Sequence, residues 1–162
     1  MKIGIDPGLT GAIAILNDSL QCLAVHDIPT MALGVKRQQI NAPALAKILK
    51  DCITATNGSS VTERPIPTVY LEEVHSMPGQ GVTSMFSFGT SYGVVIGVCA
   101  ALGFPLVLVK PRAWKKQAGL LGKQKDACRT LTQQLYPELD LSLKKHIGRA
   151  DALAIARFGW MV

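Results

Sequence analysis

Two short apolar runs, Ile3-Gly4-Ile5 and Ala12-Ile13-Ala14-Ile15-Leu16, stand on either side of Asp6-Pro7-Gly8-Leu9-Thr10-Gly11. Pro-Gly followed by a further Gly between runs rich in Ile is the punctuation of a strand, a tight turn and an antiparallel strand. Asp6 then falls at the carboxyl end of the first strand. A carboxylate ending an apolar strand is costly to bury unless it is paired or holds a cation, which makes Asp6 a candidate functional residue. The same residue also suits a purely structural role, opening the turn ahead of Pro-Gly.

A second strand ends the same way. Thr68-Val69-Tyr70-Leu71-Glu72-Glu73-Val74 is β-branched and aromatic and runs into two acids. Between it and the first strands lies Ala42 to Thr56, in which Leu45, Ile48, Leu49, Cys52 and Ile53 recur at intervals of three and four. This is an amphipathic helix, with Asn41 as its cap, Pro43 just inside and Asn57-Gly58-Ser59-Ser60 as its stop. A helical crossover lets the acid-terminated strands lie parallel and adjacent, so their carboxylates meet at one edge of a sheet. Period-two alternation puts Glu72 and Glu73 on opposite faces, and only one of them can join Asp6.

The remaining segments fill out an α/β plan. Leu20 to Ile28 reads as a third strand closed by Pro29, and residues 30 to 41 as an exposed connection carrying Lys36-Arg37. Residues 75 to 81 form a loop at the acidic edge. From Gly89 to Leu102 a helix carries Gly89, Gly93 and Gly97 four apart. Glycines are poor helix formers, so such a ridge implies close approach of another backbone, either a symmetry mate or the sheet beneath. Phe104 to Val109 reads as a fifth, buried strand. Lys110 to Lys116 opens a short helix with Arg112, Lys115 and Lys116 on one face, and Lys123, Lys125 and Arg129 begin another that runs to Tyr136-Pro137. Trp114, between the basic residues, either stacks on a ligand or sits in the core. The last helix begins near Arg149, with Asp151 in its first turn. There the helix dipole favours an acid, and there a third carboxylate can also be offered to the sheet edge.

Charge is unevenly placed. From residue 110 onward there are eleven Lys and Arg against four Asp and Glu, and before it six against seven. A basic half points to a polyanion, of which nucleic acid is the commonest, or to a merely soluble basic surface. Hydrophobic residues make up 48% and charged residues 17%, which excludes disorder, and 162 residues suit a single domain, 1–162. Cys22, Cys52, Cys99 and Cys128 are scattered without zinc spacing and read as reduced thiols of a cytoplasmic protein. The longest apolar run, Gly93 to Val109, is broken by Gly103-Phe104-Pro105 and reads as helix, turn and strand with no membrane span.

Taken in order, Gly4-Ile5-Asp6-Pro7-Gly8, Leu71-Glu72-Glu73-Val74, the glycine-spaced helix, the segment holding Lys115 and Lys125, and Arg149-Ala150-Asp151-Ala152-Leu153-Ala154-Ile155-Ala156 span nearly the whole chain. Together they resemble the RuvC family of Holliday-junction resolvases, in its divergent phage and plastid branch. The resemblance implies a ribonuclease H-like fold: a five-stranded mixed sheet, its first three strands antiparallel, flanked by helices. It also implies an endodeoxyribonuclease that nicks four-way junctions as a homodimer, using two Mg²⁺ ions for which Mn²⁺ can substitute and no small-molecule cofactor.

Carried over by position, the resemblance makes Asp6, Glu72 and Asp151 metal ligands. His75 becomes a residue that probes the junction centre, and Lys115 and Lys125 become phosphate contacts. Arg112, Lys116, Lys123 and Arg129 extend that DNA-binding surface from the charge pattern. The bacterial pattern has a further ligand three positions before the last Asp, where this chain has Gly148. Aligned with the divergent pattern, Lys145-His146-Ile147-Gly148-Arg149-Ala150-Asp151 offers His146 as the fourth ligand. The alternatives are a branched-DNA or fork nuclease of broader specificity and an inactive, structure-specific DNA-binding module. An actin-like sugar kinase shares the Gly-Ile-Asp-x-Gly turn, but it needs two such domains.

Overall fold

The structure is a computed structural model and describes residues 1–35, 37–54, 66–76 and 79–162. The first strand and its successors form an antiparallel meander: β1 (Lys2–Ile5), β2 (Ala12–Leu16) and β3 (Cys22–Asp27). A small hairpin follows, β4 (Thr30–Leu33) with β5 (Arg37–Ile40), then α1 (Ala42–Thr54) and β6 (Thr68–Glu72). Next come α2 (Val82–Ala101), β7 (Leu106–Val109), α3 (Pro111–Gln117), α4 (Ala127–Leu135), a 3₁₀ turn (Lys144–His146), α5 (Ile147–Phe158) and a closing 3₁₀ turn (Gly159–Met161). The main sheet has the order β3-β2-β1-β6-β7. β6 runs parallel to β1, with Ile5 opposite Leu71, so Asp6 and Glu72 leave neighbouring strands side by side.

Strict alternation sorts the sheet into two cores. Ile3, Ile5, Ile13, Ile15, Val69 and Leu71 point to one face and pack with Leu45 and Leu49 of α1 and Val95 and Cys99 of α2. Gly4, Ala12, Ala14, Leu16 and Tyr70 alternate with them and meet α5 and its neighbours on the other face. The small residues let α5 come unusually close. A Cβ on Gly4 would lie 2.3 Å from both Ala152 O and Ala156 N, so this approach is open to glycine alone. Asn41 caps α1 as its sequence position predicts, accepting the Ala44 N–H at 3.1 Å. The expected end of that helix at Thr56 and its Asn57–Ser60 stop lie outside the described residues.

Four segments differ from the sequence reading. Thr30–Leu33 and Arg37–Ile40, within the expected exposed connection, pair as an antiparallel hairpin, with Gly34 at positive φ (+72°) directly after the first of them. The glycine-bearing helix starts at Val82, well ahead of Gly89. β7 is an edge strand with Val107 39% and Leu108 47% exposed, whereas a continuous apolar run had suggested full burial. α5 starts at Ile147, which moves Asp151 into the second turn, beyond the reach of the dipole argument. α2 is long and apolar enough, by length and composition alone, to cross a membrane. As the crossover between the hydrogen-bonded parallel strands β6 and β7, it lies along the sheet and packs on α1 and β5.

Candidate active site

The site grows from the β1–β2 turn. Asp6 N–H donates to Ala12 O at 3.0 Å and Gly11 N–H to Gly8 O at 2.9 Å, which folds the turn back over the strand end. A Cβ on Gly11 would stand 2.1 Å from Asp6 O, so the turn requires a glycine there. Gly8 N–H donates to Asp6 Oδ1 at 3.2 Å, holding the carboxylate at the sheet edge. The structural and functional readings of Asp6 are thus compatible, since the turn engages one of its oxygens.

Glu72 leaves β6 on the same face as Tyr70, toward α5 and α3, while Glu73 leaves on the opposite face. There Glu73 stands 3.3 Å from His75 Nε2, and its charge adds to the burial that pushes the Tyr92 hydroxyl up. Glu72 accepts a hydrogen bond from Trp114 Nε1–H at 3.0 Å and is electrostatically coupled to Asp6 and Asp151. The choice that alternation left open therefore goes to Glu72. Asp151 arrives from α5, whose first turn is pressed onto the β1–β2 turn through Gly148. A Cβ at Gly148 would lie 2.3 Å from Thr10 O and 2.8 Å from Gly11 Cα. That contact, one helical turn before Asp151, brings the third acid to Asp6.

Electrostatics join the three acids into one group. Burial pushes Asp6 up to about 6 and Glu72 up to about 7, and Asp151 is raised as well, in each case chiefly by desolvation. Opposing that, the Gly8 N–H lowers Asp6, the Trp114 N–H lowers Glu72 and the Cys128 thiol lowers Asp151. Asp151 raises both of the others. The Lys115 charge lowers all three acids, and Lys125 lowers Asp6 and Asp151. No ion pair neutralises any of the three among the described residues. A desolvated, all-oxygen set of carboxylates that Lys115 and Lys125 influence without ion-pairing is chemically suited to a hard divalent cation. Among the described residues, however, no three His, Cys, Asp or Glu side chains close into a ready ligand cluster.

The other expected site residues are placed unevenly. Lys115 lies half-buried over the Trp114 ring, 5.1 Å from its centroid, while Arg112, Lys116, Lys123 and Lys125 are exposed. Lys123 and Lys125 sit in the turn before α4, where a continuous helix had been expected. Arg129 is committed to structure. Its Nε and Nη2 both donate to the Asp126 carboxylate at 2.7 Å, and its Nη1 donates to the carbonyls of Leu141 and Ser142. His75 is exposed and faces Glu73.

His146 is buried in the 3₁₀ turn with its Nδ1 unpartnered, and the carboxylates that feel it are Asp27 and Asp140. The three acids are coupled to one another and to Lys115 and Lys125. Asp27 in turn takes a bidentate pair from Arg149, at 2.6 and 2.7 Å, tying α5 to the end of β3. Beside the β1–β2 turn, an open groove of about 480 Å³ has a largely apolar wall that includes Leu9 and Phe88, with Arg37 and the hydroxyls of Thr10, Thr83, Ser84, Ser87 and Ser91 among its lining residues. Sequence reasoning weighed Trp114 only as a stacking or core residue. No spacing links position 114 to position 72.

No protein-family model matches this chain, and no curated protein matches it. Solved structures share its fold, among them two of RuvC. "T. thermophilus RuvC in complex with Holliday junction substrate" aligns with a TM-score of 0.64 at 19% identity, over 98% of this chain and 93% of that one. "Thermus thermophilus RuvC structure" aligns with a TM-score of 0.52 at 15% identity, over 95% and 88%. The mixed five-stranded sheet flanked by helices is the ribonuclease H-like fold seen in these RuvC structures.

Proposed function

We propose that this chain is a metal-dependent, structure-specific endodeoxyribonuclease that nicks four-way DNA junctions as a two-fold dimer. The observation that carries the reading is the meeting of Asp6, Glu72 and Asp151, from three elements far apart in sequence, as a desolvated acidic group beside Lys115 and Lys125 on a RuvC-type sheet. Asp6, Glu72 and Asp151 would hold Mg²⁺, or Mn²⁺ in its place. Bound divalent ions supply Lewis acidity and an activated water for in-line phosphodiester hydrolysis. The chain itself contributes the rest. Desolvation keeps water from screening the carboxylates, the turn at Gly8 and the indole at Trp114 hold their orientation, and the lysines draw the phosphates of the strand to be cut toward the acidic edge.

The test is direct. Purified protein is incubated with a labelled four-way junction, a fork and a linear duplex, with and without Mg²⁺. Mg²⁺-dependent paired nicks in the junction support the reading. Equal cutting of the fork would shift it to a broader branched-DNA nuclease. Tight junction binding without nicks in Mg²⁺ or Mn²⁺ would make the protein a binding module.

The phosphate grip is assigned to Lys115 and Lys125 with Arg112, Lys116 and Lys123. Lys115→Ala combined with Lys125→Ala is expected to lower the slope of log affinity against log salt by about 0.9 for each phosphate that the protein no longer neutralises. An unchanged affinity and slope in a salt titration would move the grip elsewhere.

Dimerisation is assigned to α2. Only Ser91, Val95 and Cys99 of this helix are buried, Phe86 is 77% exposed, and no atom beyond the helix itself lies within 4 Å of a Cβ built at Gly89, Gly93 or Gly97. The sheet beneath therefore does not account for the ridge, whereas a second copy crossing at the glycines gives the two active sites that symmetrical nicks require. Gly93→Leu meets open space within one protomer, so it is expected to fold normally and sediment as a monomer. A dimeric Gly93→Leu protein would remove α2 from the interface.

A further inference from the structure

We infer that Trp114 is a positioning residue for Glu72, holding the carboxylate in place for a divalent cation without competing for it; the inference rests on the metal-centre reading above. Trp114 is fully buried, wedged among Val109, Cys128, Ala150, Ala154 and Ile155, so its ring has no freedom to follow a moving partner. From that fixed ring Nε1–H donates to Glu72 Oε1 at 3.0 Å.

The chemistry of the donor matters. Glu72 stands at the end of β6 among two other acids and is desolvated, so without a partner its side chain would turn away from them toward water. A lysine or arginine at hydrogen-bond distance would restrain it, but would also neutralise it and occupy the place of a cation. An indole is a donor only, carries no charge and offers a single N–H, so it satisfies one oxygen and leaves the rest of the carboxylate's capacity free. This is the outer-shell relation by which hydrogen-bond partners orient metal ligands, and removing such partners typically lowers metal affinity about 10- to 100-fold. A buried indole N–H needs an acceptor in any case, and the carboxylate it takes here is the one facing Asp6 and Asp151. Lys115, next to it on α3, lies over the same ring, so one short helix carries both a phosphate-facing cation and the bond that orients Glu72.

The chain has two tryptophans, Trp114 and the 45% exposed Trp160, which serves as an internal control in ¹H–¹⁵N spectra of the indole N–H groups. In the metal-free protein, Glu72→Gln is expected to shift the Trp114 indole signal and leave that of Trp160 in place. Mn²⁺ binding to the wild type, followed by calorimetry, is expected to weaken about 10- to 100-fold in Trp114→Phe, with circular dichroism and melting showing a retained fold. Wild-type affinity within twofold in a folded Trp114→Phe would overturn the inference. So would a Trp114 indole signal indifferent to Glu72→Gln, a readout that holds even where Trp114→Phe does not fold. A wild type that binds no ion would instead sink the metal-centre reading, with the indole response still deciding whether Trp114 holds the carboxylate.

Discussion

Asp6→Asn, Glu72→Gln and Asp151→Asn are each expected to lower junction nicking by about 10³-fold or more while junction affinity is kept or increased. The loss corresponds to the several kcal/mol of transition-state stabilisation that a correctly held cation provides. Affinity survives because removing a negative charge beside a phosphate backbone cannot weaken its electrostatic attraction. Nicking assays and gel-shift titrations on the same preparations separate the two effects. A Glu72→Gln protein cutting at the wild-type rate would return the role to Glu73.

The same substitutions have a signature without metal. Asp6 at about 6 and Glu72 at about 7 lie above the ordinary carboxylate range, so the folded protein binds their protons more tightly than the unfolded chain does. Their contribution to stability is full below about pH 4 and is lost as pH rises through about 6 and 7. Metal-free wild type should therefore melt lower at pH 8 than at pH 5. Asp6→Asn should recover on the order of 1–3 kcal/mol at the higher pH, several degrees in Tm, because an amide does not ionise. Thermal melts in chelator across that range measure it, and parallel curves for the two proteins would show that Asp6 is not desolvated.

Gly148→Asp is expected to unfold the protein or destabilise it by about 3 kcal/mol or more, and not to create a fourth ligand. The family resemblance makes this substitution attractive, since the bacterial pattern carries a ligating residue at that position. In the structure the position is the contact between α5 and the β1–β2 turn. Any Cβ would approach Thr10 O to 2.3 Å and Gly11 Cα to 2.8 Å, and both neighbours are backbone with no rotamer to give. Relief requires α5 to lift, which carries Asp151 away from Asp6 and uncovers the Ala152, Ala154 and Ala156 packing beneath. Denaturant or thermal unfolding of Gly148→Ala, which adds only the Cβ, isolates the steric part. A Gly148→Ala protein with wild-type stability would show that the turn yields.

What could be read from the chain without its fold was local. The β1–β2 hairpin, the capped helix at Asn41, the strand ending in Glu72-Glu73 and the parallel pairing across the helical crossover all follow from turn residues and periods of two and 3.6, which neighbouring residues encode. Asp6, Glu72 and Asp151 were legible as candidates for the same reason, each lying at or near the end of an element. The tertiary structure decided everything that depends on contact between distant segments. Packing α5 on Gly4, with its own Gly148 against the β1–β2 turn, puts Asp151 beside Asp6, while His146 is felt by Asp27 and Asp140. The face on which each core closes separates Glu72 from Glu73. Arg129, one more cation in a basic run by sequence, spends its guanidinium on Asp126 and two carbonyls. Trp114 reaches Glu72 across 42 residues, a pairing that no local period encodes, because it arises only when α3 docks beside β6.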